Sequence, residues 1–301
     1  MKSVLVLSLA LVLLRGASAQ QKTQEEIDRE KKFQEQSAKA NADTSKQYGW
    51  KHTSSAALNL TEASFTNWVA GGSNTLAYTA ILQGSSALTS ERTVWANNYR
   101  FAFGQARLSD QGLRKTDDDI YFESLLIYKA GTYVNPYGAV TLRTQFAAGF
   151  DYSTEPAAQV SRFFDPAYIT QSAGVAYRPI PEFTTRLGAA LREVVASQYK
   201  QYTTDPLTHE VHSVWTMGGL ESVSDLNANI AENIQFVARL ELFSPFQNPD
   251  RIIVRNDYSL VAKVNKYITT GLTLNLINDV NVSARTQVKQ TLSLGLSYAL
   301  F

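Results

Sequence analysis

The chain has 301 residues, a formal net charge of +1 and no cysteine. The balanced charge gives no global basic field for nucleic acid, and the lack of cysteine rules out disulfides, thiol nucleophiles and thiolate metal sites. With 15 Tyr, 14 Phe and 4 Trp the chain is rich in aromatics, yet its mean hydropathy of −0.19 does not fit a bundle of membrane helices.

The long apolar run is residues 4–14, preceded by Lys2 and followed by Ala17-Ser18-Ala19. This order of basic, apolar and small residues predicts a secretory signal peptide over 1–19, cut after Ala19. The run is too short to cross a bilayer as a helix, and no cysteine follows it for lipid attachment. Residues 20–47, the bulk of the 20–48 segment, are almost wholly polar, with Ile27 and Phe33 the sizeable apolar exceptions. A helix there would have no face to bury, so a solvated periplasmic tail or linker is expected.

From residue 49 to 301 the pattern becomes a series of alternating segments, and twelve strands are predicted. Their cores are 51–60, 74–88, 93–107, 119–129, 137–152, 169–178, 182–195, 211–225, 230–243, 251–264, 267–278 and 286–300. The last is the cleanest: Val288, Leu292, Leu294, Leu296 and Tyr298 share one parity, and Gln287, Lys289, Thr291, Ser293 and Gly295 the other. Elsewhere Leu187, Ala189 and Leu191 oppose Arg186 and Arg192, and Phe236, Ala238 and Leu240 oppose Arg239 and Glu241. The fourth and eighth strands are ambiguous, and Gly218-Gly219 is read as a bulge that shifts parity.

Such faces suit a half-buried soluble sheet or a barrel with lipid outside and a polar lumen inside. The connections favour the barrel. They alternate long and short, with long ones at about 61–73, 108–118, 153–168, 196–210, 244–250 and 279–285. Long extracellular loops opposite short periplasmic turns are the mark of an all-β, transmembrane, antiparallel up-and-down β-barrel, here of about 12 strands. Trp95, Tyr128, Tyr137, Tyr177, Phe183, Tyr267 and Tyr298 fall at strand ends beside the short turns. They are read as one interfacial girdle.

Several short stretches resemble a family of Gram-negative outer-membrane barrels known only as a domain of unknown function. They are Phe65-Thr66-Asn67-Trp68-Val69-Ala70-Gly71-Gly72, Arg114-Lys115-Thr116-Asp117-Asp118-Asp119, Thr144-Gln145-Phe146, Ser161-Arg162-Phe163-Phe164-Asp165-Pro166-Ala167-Tyr168 and Lys263-Val264-Asn265-Lys266-Tyr267. The resemblance implies an outer-membrane location and a barrel, with no activity and no catalytic residues attached to it.

Candidate chemistry is sparse. His209 and His212 point to opposite faces if extended, so a solvated loop is the better reading than a metal site with Glu210. A Ser–His–acid hydrolase needs a geometry that adjacent strand residues do not supply. Asp117, Asp118 and Asp119 are read as a mixed-charge solvated loop rather than a calcium site. Trp68, Gly71, Gly72, Phe163, Phe164 and Tyr168 mark two aromatic loops at the barrel mouth. The candidate lumen charges are Arg100, Arg143, Asp151, Arg186, Arg192, Arg239, Glu241, Arg255, Asp257, Lys263 and Lys289, with cations in excess. They either pair across the lumen and block it or line a water path with anion preference.

The expected protein is therefore exported to the outer membrane and is not an enzyme. It carries no cofactor and no metal. Its partners are outer-membrane lipid, the barrel-assembly machinery and candidate members of an outer-membrane complex, with no nucleic acid. The expected function is a passive, porin-like pore for small polar or anionic solutes. The alternative is a non-conducting structural or accessory subunit of a larger outer-membrane assembly.

Overall fold

A computed structural model describes residues 48–64, 74–108, 112–205, 208–283 and 285–300. The expected signal peptide over 1–19, residues 20–47 of the expected tail, and the Trp68, Gly71 and Gly72 stretch lie outside these. The strands are β1 (Gly49–Ala63), β2 (Thr75–Thr89), β3 (Thr93–Leu108), β4 (Leu113–Tyr128), β5 (Val134–Thr144), β6 (Gly149–Asp151), β7 (Ala158–Ser161), β8 (Ala167–Ile180), β9 (Phe183–Val195), β10 (Val214–Ala231), β11 (Ile234–Pro245), β12 (Ile253–Lys263), β13 (Ile268–Asn278) and β14 (Gln287–Ala299). All but β6 and β7 form one closed antiparallel barrel of twelve strands, each paired with the next barrel strand in the chain, β5 with β8 across the β6–β7 excursion, and β14 paired back to β1.

Alternation builds this wall. In β13 and β14 the ladder sets Leu272 against Leu292 and Leu274 against Gln290 on the outside, while Thr273 faces Thr291 within. The outside is apolar over most of its height. Leu58, Leu82, Phe122, Leu126, Val140, Val175, Leu187, Leu220, Leu292, Leu294 and Leu296 are all exposed there. Leaving a Leu or Phe in water forfeits about 1.5–3 kcal/mol relative to burying it. A belt of this extent on a closed, edge-paired sheet is the solution for a bilayer, where every backbone polar group must be paired internally.

The turns at one end are short and chemically defined. Asn135 Oδ1 accepts from the N–H groups of Ala130 and Gly131 between β4 and β5. Asn265 Oδ1 accepts from those of Tyr267 and Ile268 between β12 and β13. Side-chain carbonyls thus close the turns that the strands leave open. Trp95, Tyr128, Tyr177, Tyr267 and Tyr298 are exposed at this end, joined by Tyr48 and Trp50. Phe183 sits there at the start of β9.

Several sequence expectations are corrected. Residues 114–118 are not loop: β4 begins at Leu113, and a bulge between Gly104 and Gln105 of β3 absorbs one residue of β4. The β3–β4 connection is therefore short. Residues 146–152 are not part of β5. The chain leaves the barrel after Thr144 and makes the separate β6–β7 hairpin. β10 starts at Val214, not 211, and runs through 226–229 to a tight turn at residues 232–233. Gly218-Gly219 is no bulge, since the ladder to β11 and β9 is regular there. A Cβ on Gly219 would lie 2.7 Å from the ring of Phe243, so glycine makes room for that buried side chain.

The closing seam is short. β1 pairs with β2 along its whole length, but with β14 only from Ser55↔Ala299 to Asn59↔Gly295. Leu300 N–H extends it by donating to the Ser54 carbonyl at 2.8 Å.

Candidate functional site within the lumen

Inward-facing side chains cross the barrel and meet. β4 projects Asp119, Tyr121 and Glu123 on one parity. Glu123 is 1% exposed, and its Oε2 accepts from Arg186 Nη2 of β9 at 2.5 Å and Arg239 Nη2 of β11 at 2.6 Å. Its Oε1 accepts from Asn98 of β3 at 3.2 Å. Arg239 turns its other two nitrogens to Glu241 at 2.7 Å and Asp225 at 3.0 Å. Two guanidiniums on one carboxylate, one of them satisfied further by two more acids, is an arrangement in which buried charge is tolerated, although Arg186 Nε is left buried without a partner.

The network spreads upward from this layer. Arg100 holds Asp119 at 2.6 Å, and Arg255 holds Asp257 at 3.1 Å. Asn275 donates to Asp257 at 2.6 Å. Lys289 reaches Asp117 across the lumen at 2.7 Å. The Tyr121 ring lies between two guanidiniums, 4.7 Å from Arg143 and 5.6 Å from Arg239. On the short-turn side Tyr137, Ala139 and Ala176 pack with Leu125 and Ile127 inside the barrel.

Arg100, Arg143, Arg186, Arg192, Arg239, Glu241, Arg255, Asp257 and Lys289 thus all enter lumen contacts, and Lys263 lies exposed at the short-turn end of β12. Three calls change place. Asp151 is not in the lumen: it ends β6 in the outlying hairpin and is exposed, accepting from Ser153 N–H at 2.9 Å. Tyr137 is not in the girdle: it faces inward, 5% exposed, with Arg186 5.7 Å from its ring centroid. Tyr168 is not a loop residue but the second residue of β8, facing Arg192 inside the barrel. Nor do cations prevail, because the acids Asp119, Glu123, Glu221, Asp225 and Asp279 also face the lumen. The sequence held a signal for the first two: Asp119, Tyr121, Glu123 and Leu125 alternate with Ile120, Phe122 and Ser124.

At the long-loop mouth the quoted sequence stretches converge. Asp118 accepts from the N–H groups of Phe146 and Ala147 at 2.7 and 2.9 Å, while Lys115 donates to the Ala147 carbonyl at 2.8 Å. Gln145 donates to the Arg162 carbonyl at 2.7 Å, and Thr144 to that of Pro166 at 3.0 Å. Asp165, 2% exposed, joins this loop to the next. Its Oδ2 accepts from the Ser197 hydroxyl and the Gln198 N–H, both at 2.8 Å. Burial opposes its ionisation, but these donors prevail and hold it below the usual carboxylate range. Phe163 and Phe164 remain exposed, with Phe164 at a φ of 56°.

Each of the three consecutive acids therefore has its own structural partners: Lys289 for Asp117, two backbone N–H groups and the Lys115 ammonium for Asp118, and arginines for Asp119. The histidines are tied differently. His52 bonds Ser86 at 2.9 Å on the outside, stacked with Trp50. The His212 carbonyl accepts from buried Thr203 at 2.7 Å, and its ring is 3.8 Å from Glu210.

A closed antiparallel barrel with an apolar belt outside and paired charges inside defines the class: a membrane-spanning β-barrel. Residues 60–150 match the family described as "Protein of unknown function (DUF3078)". The chain matches no curated protein. Among solved structures it is similar to the translocator domain of autotransporter NalP from Neisseria meningitidis, at 10% identity over 91% of this chain and 97% of that one, TM-score 0.37. It is also similar to the COG4313 outer membrane channel from Pseudomonas putida F1, at 9% identity over 84% and 95%, TM-score 0.39. A third is the outer membrane channel DcaP of Acinetobacter baumannii, at 6% identity over 85% and 99%, TM-score 0.30.

Proposed function

We propose that this protein is an exported outer-membrane β-barrel that is closed across its lumen at rest, rather than an open pore. The observation that carries this reading is the grip of Glu123 on both Arg186 and Arg239 from the opposite wall. With Arg239 also held by Asp225 and Glu241, the charges fill the cross-section instead of lining a path. Of the two expectations from sequence, this favours the non-conducting barrel. Its outside takes lipid, the barrel-assembly machinery inserts it, and its chemistry is not catalytic.

Planar bilayer recording tests it. The folded wild type is expected to give no steady unitary conductance, and Glu123→Ala to give openings by releasing both guanidiniums. A wild type with a stable, large unitary conductance would end the reading.

A further inference from the structure

On the long-loop side of the Glu123 layer the lumen holds a cavity of about 280 Å³. It falls just below the ~300–1,000 Å³ of pockets for drug-sized molecules, so its ligand is small. Part of its wall is apolar, with Phe243 and Ile253 both buried. The rest carries polar groups that the fold leaves unspent.

Three such groups line it, on Arg192, Glu221 and Tyr121. The Arg192 guanidinium is fixed near the rings of Tyr168 at 5.4 Å and Phe243 at 5.9 Å. Its Nε is buried without a hydrogen-bond partner, and its nearest acid, Asp279, is 3.7 Å away. Beside them Arg143 stacks on Tyr121 and shares its charge among Asp119 at 3.5 Å, Glu241 at 3.9 Å and Asp257 at 4.0 Å. Glu221 is 8% exposed, and its Oε2 has no partner. The Tyr121 hydroxyl is likewise buried and unpartnered. A native interior rarely leaves so many polar atoms unsatisfied in one place without a ligand or water to meet them.

The unspent donors and acceptor differ in sign. Planar guanidiniums favour a carboxylate, while a buried carboxylate oxygen favours an ammonium. Around them, guanidiniums and carboxylates occur in nearly equal number. A ligand with net charge would leave one charge uncompensated away from water, whereas a zwitterion would not. We propose that this cavity binds a small apolar zwitterion of amino-acid size. Its carboxylate lies on Arg143 and Arg192, its ammonium on Glu221, and its side chain against Phe243 and Ile253.

The proposal rests on the closed-lumen reading, and the two fail separately, because conductance reports the closure and calorimetry the binding. The full-length folded barrel in detergent is titrated with L-leucine and L-phenylalanine, and then with 4-methylpentanoate and 3-methylbutylamine as one-charge analogues. At least one amino acid is expected to bind, with both analogues weaker by about tenfold or more. Glu221→Gln should remove the advantage of the amino acid over the acid. Tyr121→Phe, which deletes only an unbonded hydroxyl, should weaken binding while leaving the heat-modifiable band of the folded barrel intact on a gel. A silent barrel that binds neither amino acid overturns the proposal. So does an acid that binds as tightly as the amino acid and is indifferent to Glu221→Gln.

Discussion

Glu123 and Arg239 are 116 residues apart in sequence and meet at 2.6 Å in the middle of the barrel. The contact joins β4 to β11 across the lumen, and Arg186 of β9 completes it on the same carboxylate oxygen. A barrel whose lumen is bridged in this way has a charged core that takes the place of an apolar one.

Removing one member of such a set leaves the others buried and unpaired. Glu123→Ala is therefore expected to destabilise the folded barrel by about 3–5 kcal/mol. The measurement is the urea midpoint of the folded band on a cold gel. Adding Arg239→Met to that variant should cost less than the sum of the two single changes, because the pair is coupled.

Asp118 anchors the segment that leaves the barrel after β5, through two backbone N–H groups. Asp118→Ala leaves both donors without their acceptor, at about 1–3 kcal/mol of local stability. Faster limited proteolysis within residues 145–160, with the barrel itself intact, is the expected result.

Asp165 gives the loops a pH dependence. Its folded carboxyl is held below the usual range, so protons favour the released loop. Arg162 stands 3.6 Å away, and the Tyr202 phenol is pushed up, first by its own burial and in smaller part by the Asp165 charge. The tie between residues 162–166 and 197–198 is complete above about pH 3.9, the ordinary Asp value. It weakens below that, and is lost once pH falls through the lowered folded value. Hydrogen exchange of these amides should accelerate in that acidic window, and Asp165→Asn should flatten the dependence.

The outer and inner parities of β14 should differ sharply in their tolerance of charge. Leu292 is 78% exposed on the outside, and Thr291 faces the lumen. Leu292 sits near the middle of β14, and Leu292→Arg is expected to cost about 2–4 kcal/mol. Thr291→Arg should cost clearly less. Folding yield into lipid vesicles and urea midpoints measure both.

The sequence by itself determined the wall. Strict alternation in strands such as β14 fixes which side chains meet the outside, because the period of a strand leaves no other choice. The short turns at one end, facing mostly longer connections at the other, fix an up-and-down order even though the β3–β4 connection is short. Only the tertiary structure decided what the inward side chains do. Asp117, Asp118 and Asp119 read alike in sequence, yet one bonds a lysine on β14, the next bonds loop backbone together with nearby Lys115, and the third bonds arginines. A bulge and the path of a distant loop set those partners. Tyr137 and Asp151 were misplaced for the same reason. One lies beside a short turn but faces inward, and the other continues an alternation after the chain has left the wall. Whether Glu123 would meet Arg186 and Arg239 depended on closure itself, since closure brings strands far apart in the sheet face to face across a lumen narrow enough for their side chains to touch.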